Sequence, residues 1–226
     1  MTVLVMGGGT FSDVTPHLSL CTRAFGTTAK QLYLKLHDEG IISTGLMLTK
    51  MANHSSSLVS NKDVDEFIQK TLKNPALKAI IFNVAMCDFK GNVHGYPNTY
   101  RLSSNGSYAM RLMPDTTKVI SKIKQQRPDI FLVGFKTTAG DNEAIQIRKA
   151  QDQIAISGCD LVLANDITTR NNILVTPNSI LTGSRDDLLN TIVSETIKAC
   201  YPLKQLLRTP PLDFLEPEEN TIPTQV

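Results

Sequence analysis

Val3-Leu4-Val5-Met6-Gly7-Gly8-Gly9-Thr10 opens the chain with four apolar residues that run straight into three glycines. A short apolar run ended by glycines predicts a buried strand whose carboxyl end turns sharply. Phe25, Ala29, Leu32, Tyr33 and Leu36 then recur at helical spacing, and Gly40 is the expected stop. The opening unit is therefore read as strand, loop, helix.

The same rhythm continues downstream. Leu46 to Thr49 reads as a strand, Val64 to Leu72 as a helix, and Lys78 to Ala85 as a strand buried on both faces. Tyr108 to Met113 alternates as a strand would, and Thr116 to Ile123 is helical. Asp129 to Phe135 and Cys159 to Ala164 are two more apolar strands around a helix over Gln146 to Ile156. Ile173-Leu174-Val175 and Ile180-Leu181 flank Pro177-Asn178 as a hairpin, and Leu188, Leu189, Ile192, Val193 and Ile197 mark a closing helix. Such alternation predicts a three-layer, Rossmann-like α/β domain over residues 1–203, with a mostly parallel sheet, helices on both faces and a C-terminal β-hairpin. Residues 204–226, with several prolines and Glu216, Glu218 and Glu219, are expected to form a weakly ordered tail.

Composition excludes several classes of function. The 226 residues are 41% apolar, enough for one core, and 23 basic against 21 acidic residues leave a net charge of +2. That charge provides no field for attracting nucleic acid or an anionic membrane. The four cysteines, Cys21, Cys87, Cys159 and Cys200, show no metal-binding spacing, and the N-terminus has no signal-peptide pattern. A reduced, cytoplasmic protein without a dedicated metal site is the expectation.

Ligands of open α/β sheets bind beyond the carboxyl ends of the strands. Four such ends carry suitable chemistry: Gly7-Gly8-Gly9-Thr10, Ala85-Met86-Cys87-Asp88, Gly134-Phe135-Lys136 and Ala164-Asn165-Asp166. Small residues admit a ligand to the backbone, and Asp88 can accept bonds from ribose hydroxyls. Each feature also has a purely structural use. Glycines make tight turns, Asp88 and Asn165-Asp166 suit caps or turns, Phe135 suits a core, and Lys136 and Arg101 suit solvent. The glycine run matches neither the dinucleotide fingerprint nor the phosphate loop. Between Asp88 and Asn105 lies a polar stretch too long for an ordinary connection.

In order along the chain, Val3 to Thr10, Val84-Ala85-Met86-Cys87-Asp88-Phe89, Arg101-Leu102-Ser103-Ser104, Leu132 to Lys136 and Asp160 to Asp166 resemble the motifs of the phosphopantothenoylcysteine synthetase family, over about residues 2–197. The resemblance implies an acyl-nucleotide intermediate made from CTP or ATP with Mg²⁺ carried by the triphosphate, followed by amide formation with cysteine or another amine. It implies that Gly7, Gly8, Gly9, Thr10, Ala85 and Asp88 hold the nucleotide together with Phe135, Lys136, Asn165 and Asp166. Arg101 stands at the family's catalytic lysine, and Thr22 stands at the asparagine placed on the acyl group. Arg23, Arg101 and Lys136 are the cations that this register places for phosphate. Gln153 and Ser157 lie where the family usually carries triphosphate lysines.

The implied partners are a nucleoside triphosphate and a small phosphorylated carboxylic acid, with neither nucleic acid nor membrane. Family members are commonly dimers, and the hairpin near 172–182 suits either an interface or the surface. A non-catalytic module binding a nucleotide or phosphorylated metabolite is the alternative. A nicotinamide oxidoreductase has only the β/α rhythm and glycines behind it.

Overall fold

The computed structural model describes residues 2–40, 43–116 and 118–201. In chain order the elements are β1 (Val3–Gly9), β2 (Phe11–Thr15), β3 (Leu18–Cys21), α1 (Thr27–Asp38), β4 (Thr44–Leu48), α2 (Asn61–Thr71), β5 (Ala79–Ala85) and β6 (Phe89–Val93). They continue as β7 (Met110–Pro114), α3 (Val119–Gln126), β8 (Phe131–Thr138), α4 (Glu143–Ser157), β9 (Leu161–Asp166), β10 (Asn172–Val175), β11 (Ile180–Thr182) and α5 (Arg185–Cys200). The tail expected over 204–226 lies outside the described residues.

Seven strands form one sheet in the order β11-β10-β9-β8-β5-β1-β4. The five from β4 to β9 are parallel neighbours, and β10 and β11 are added antiparallel. Alternate side chains of each strand point to opposite faces. Leu4, Met6, Ile80, Leu132 and Val162 accordingly meet α2, α3 and α4 through Val64, Ile68, Val119, Ile123 and Ala150. Val3, Val5, Ile81, Val133 and Leu163 meet α1 and α5 through Ala29, Leu32, Leu36, Leu188 and Ile192. The expected three-layer α/β fold is thus present.

Three local expectations are corrected. Gly7 to Gly9 do not turn but continue β1, because all three pair with β5, while Gly7 also pairs with Leu48 of β4 and the Gly9 amide donates to the Ala24 carbonyl. The stretch before α1 contains the β2–β3 ribbon, and Phe89–Val93 forms β6 inside what reads as a polar loop, paired with β7 from Phe89↔Pro114 to Val93↔Met110. Lys90, Gly91 and Asn92 are poor strand formers, and their conformation is imposed by tertiary contact. A Cβ on Gly91 would press against Val14, Leu20 and Met110, so the two ribbons pack together above the carboxyl edge of the sheet.

Candidate active site

The strand order reverses between β1 and β5, where open sheets usually admit ligands. Here that mouth is filled by the protein itself. β1 and β5 stay paired to Gly9↔Ala85, and the Thr10 amide donates to the Ala85 carbonyl at 3.1 Å. Thr10 is buried; its hydroxyl donates to Asn61 Oδ1 at 2.6 Å and accepts from the Cys87 amide at 2.7 Å. Gly9 lets the chain close over this point, since a Cβ there would overlap the Thr22 carbonyl oxygen. Gly8 has φ 105°, a conformation that side-chain-bearing residues rarely adopt.

An opening lies one strand further along. β5 and β8 pair from Ala79↔Phe131 to Ile81↔Val133, yet β5 runs on to Ala85 and β8 to Thr138. Over these last residues each strand remains paired only with its other neighbour, β1 or β9. The divergence leaves Asn83, Val84 and Ala85 facing Phe135 and Lys136 across the sheet edge, all half-buried. Phe135 packs on the α1/α5 side of the core. The Lys136 backbone pairs with β9 at Ala164, while its side chain makes no hydrogen bond or ion pair with a described residue.

Asp88 follows β5 and is exposed, 3.4 Å from the Lys118 ammonium. Its carbonyl accepts from the Asp115 amide at 2.7 Å. Asp115 itself is buried, with Lys90 at 3.7 Å. Lys118, Asn61 and Asp115 carry no motif that marks them in the sequence. The only local signal is the Ser60-Asn61-Lys62-Asp63 capping box at the start of α2.

Asp166, at the end of β9, is 2% exposed and anchors two loops. Its carboxylate accepts from the Thr138 hydroxyl at 2.8 Å and from the amides of Gly140, Asp141, Thr168 and Thr169 at 2.8–3.1 Å. Burial alone would raise its pKa, but these donors outweigh it and hold the carboxyl well below the usual carboxylate range. Asn165 is half-buried beside it, level with Thr137 and Asn172. The lines of the two loops are thereby fixed at the edge next to Lys136.

Thr22 and Arg23 leave the β2–β3 ribbon and are exposed. The Thr22 hydroxyl reaches the Met86 carbonyl at 3.1 Å, bringing this loop to the segment that leaves β5. Arg23 has no polar partner among the described residues. Arg101 is exposed on the long link between β6 and β7, and its side chain likewise makes no hydrogen bond or ion pair with a described residue. That link is braced by Tyr108, whose hydroxyl accepts from the Ser103 amide at 2.9 Å and whose ring meets Tyr96 edge-on at 5.0 Å. On α4, Ser157 is buried with its hydroxyl on the Gln153 carbonyl, and Lys149 is paired with Asp141. Among the described residues no group of three or more His, Cys, Asp or Glu side chains could hold a metal ion, and no helix is long and apolar enough to cross a membrane.

The family model of the DNA/pantothenate metabolism flavoprotein C-terminal domain matches residues 2–197. The chain is 25% identical over 169 residues to the coenzyme A biosynthesis bifunctional protein CoaBC of Thermococcus kodakarensis; the match covers 73% of this chain and 41% of that relative. Among solved structures it is similar to the DNA/pantothenate metabolism flavoprotein from Streptococcus pneumoniae, with a TM-score of 0.76 at 21% identity, covering 89% of this chain and 100% of the other. A Cab2 variant in complex with phosphopantothenate-cysteine is similar at a TM-score of 0.61 and 15% identity, over 91% of this chain and 87% of the other.

Proposed function

Because the chain belongs to the DNA/pantothenate metabolism flavoprotein C-terminal domain family, we propose that it is a nucleotide-dependent carboxylate–amine ligase of coenzyme A synthesis. In the proposed reaction the substrate carboxylate attacks the α-phosphorus of CTP or ATP, releasing pyrophosphate. The amine of cysteine then attacks the acyl carbon and releases the nucleoside monophosphate. The observation that carries this reading is the opening between the diverging ends of β5 and β8, with Lys136 at its rim.

In this pocket Asp88 accepts the ribose hydroxyls in competition with Lys118, and Phe135 lies beside the base. Gly7 to Thr10 and Ala85 shape the nucleotide's floor through the backbone, while Asn165 and Asp166 act by fixing the neighbouring loops. Lys136, Arg23 and Arg101 supply charge to the phosphates; an arginine can grip two phosphate oxygens at once but stays protonated and cannot act as a base. Thr22 offers one hydroxyl toward the acyl group. Mg²⁺ would come with the triphosphate, held by phosphate oxygens and water, and would offset the charge of the phosphates. Positioning and electrostatic stabilisation then account for most of the rate.

A second copy of the chain is the proposed partner. The β6–β7 ribbon exposes Phe89, Met110, Leu112 and Met113, an apolar surface on a two-stranded sheet that is marginal alone. The cytoplasm is the proposed location, in keeping with four free cysteines. A non-catalytic nucleotide-binding module remains the second reading, favoured by α4, where the Ser157 hydroxyl bonds the Gln153 backbone carbonyl and neither position carries a lysine. Calorimetric titration with CTP and with ATP tests the shared part of both readings. Asp88→Asn is expected to weaken the nucleotide by about 1.5–3 kcal/mol, the worth of a hydrogen bond to a charged group. Equal affinity in variant and parent would remove Asp88 from the site.

A further inference from the structure

We infer that Asn61 is a positioning residue of this site, a side chain that ties together three of the segments around its mouth. The inference rests on the nucleotide reading above. Asn61 is the first residue of α2 and is 6% exposed. The capping of that helix is done by its neighbours: Ser60 Oγ accepts from the Asp63 amide at 3.2 Å, and Asp63 Oδ2 accepts from the Ser60 amide at 2.8 Å. The Asn61 carboxamide is therefore left free to make long-range bonds from a fixed base.

It uses all of its capacity on groups 26 to 54 residues away. Its Oδ1 accepts from the Thr10 hydroxyl at 2.6 Å and the Cys87 amide at 3.2 Å. Its Nδ2 donates to the Cys87 carbonyl at 2.8 Å and to Asp115 Oδ2 at 3.1 Å. Thr10 directly follows β1, Cys87 directly precedes Asp88, and Asp115 lies between β7 and α3, so both backbone groups of Cys87 are held by one amide. A buried carboxamide with two donors and two acceptors in use has one orientation that satisfies it. Asp88 and the rim of the β5 end inherit that orientation.

Asn61→Asp keeps the shape and both acceptors but replaces the donor with charge against Asp115. The exchange of roles, Asn61→Asp with Asp115→Asn, gives the pair one donor again. Val193→Ala on α5, on the opposite face of the sheet, serves as a destabilised control. For parent and variants, amide hydrogen exchange over residues 85–88 and the affinity for CTP and ATP are measured together. Asn61→Asp is expected to speed exchange at Cys87 and weaken nucleotide by about tenfold or more, as loss of hydrogen bonds to a charged or buried group implies. The double variant is expected to recover part of both, since it restores a donor between positions 61 and 115 while the Cys87 carbonyl still lacks its donor, and Val193→Ala is expected to change neither. Unchanged exchange at Cys87 in Asn61→Asp, or an equal loss of affinity in Val193→Ala, would overturn the role of Asn61 alone. A parent that binds neither nucleotide would instead overturn the nucleotide reading and the role built on it.

Discussion

The Thr22 hydroxyl donates to the Met86 carbonyl oxygen at 3.1 Å, across 64 residues of sequence. This bond ties the loop after the β2–β3 ribbon to the segment leaving β5. Two of the expected site segments therefore meet through one exposed side chain.

Thr22→Val removes the hydroxyl and leaves an isosteric methyl. At this exposed position the stability cost is expected to be about 0.5–1.5 kcal/mol by urea unfolding, with a larger fall in ligase turnover. Thr22→Ser keeps the bond and is expected to keep turnover. Equal turnover in the valine variant would show that the hydroxyl serves only to dock the loop.

Gly9 is the point where the chain passes under the Thr22 carbonyl, so Gly9→Ala forces backbone to move. Overpacking of this kind costs about 1–3 kcal/mol. Gly183 is the contrasting case, since an added Cβ would meet only Leu188 at an ordinary 3.9 Å. Gly183→Ala is expected to leave the melting temperature unchanged while Gly9→Ala lowers it.

Stability is expected to fall in acid through two carboxylates. The Arg127 guanidinium bonded to Asp129 holds that carboxyl at about 2, and the donors around Asp166 outweigh burial to hold it low as well. In the unfolded chain an aspartate takes its proton near pH 3.9, so below that the unfolded state binds more protons than the folded one. Their contribution is present above about pH 4 and is lost as pH falls toward about 2. Thermal melts between pH 6 and 2.5 check this. Asp129→Asn is expected to flatten part of the acid slope, and a slope identical to the parent would exclude Asp129 from it.

Thiol labelling of the folded protein is expected to modify Cys21 rapidly, since Cys87, Cys159 and Cys200 are buried. Burial pushes the Cys159 thiol up to about 12 and the Cys200 thiol to about 11, leaving almost no thiolate at neutral pH. Fast labelling at more than one site would mean that the core opens more readily than its packing implies.

Much of the fold is legible because apolar strands carry their own signal. Val3–Met6, Lys78–Ala85 and Cys159–Ala164 all read as buried runs, and each lies within or beside a central strand. The ends read less well: β8 and β9 continue through Lys136-Thr137-Thr138 and Asn165-Asp166, polar residues kept in the sheet by pairing with each other. β6 is illegible because Lys90-Gly91-Asn92 has no strand preference of its own. At the site, the strand-end rule leads to Ala85, Asp88, Phe135 and Lys136. It does not lead to Asn61, whose partners lie 26 to 54 residues away, or to the way β5 and β8 part after Ile81 and Val133. Long-range hydrogen bonds and strand divergence leave no local pattern to read.

Product formation tests the ligase reading most directly. The protein is incubated with phosphopantothenate, cysteine, Mg²⁺ and either CTP or ATP, and pyrophosphate and phosphopantothenoylcysteine are measured together. A ligase releases pyrophosphate only when the acid is present and forms the amide only when cysteine is added. Arg101→Met is expected to abolish amide formation. Nucleotide binding without pyrophosphate or amide under either nucleotide would contradict the ligase and leave a binding module on the same fold.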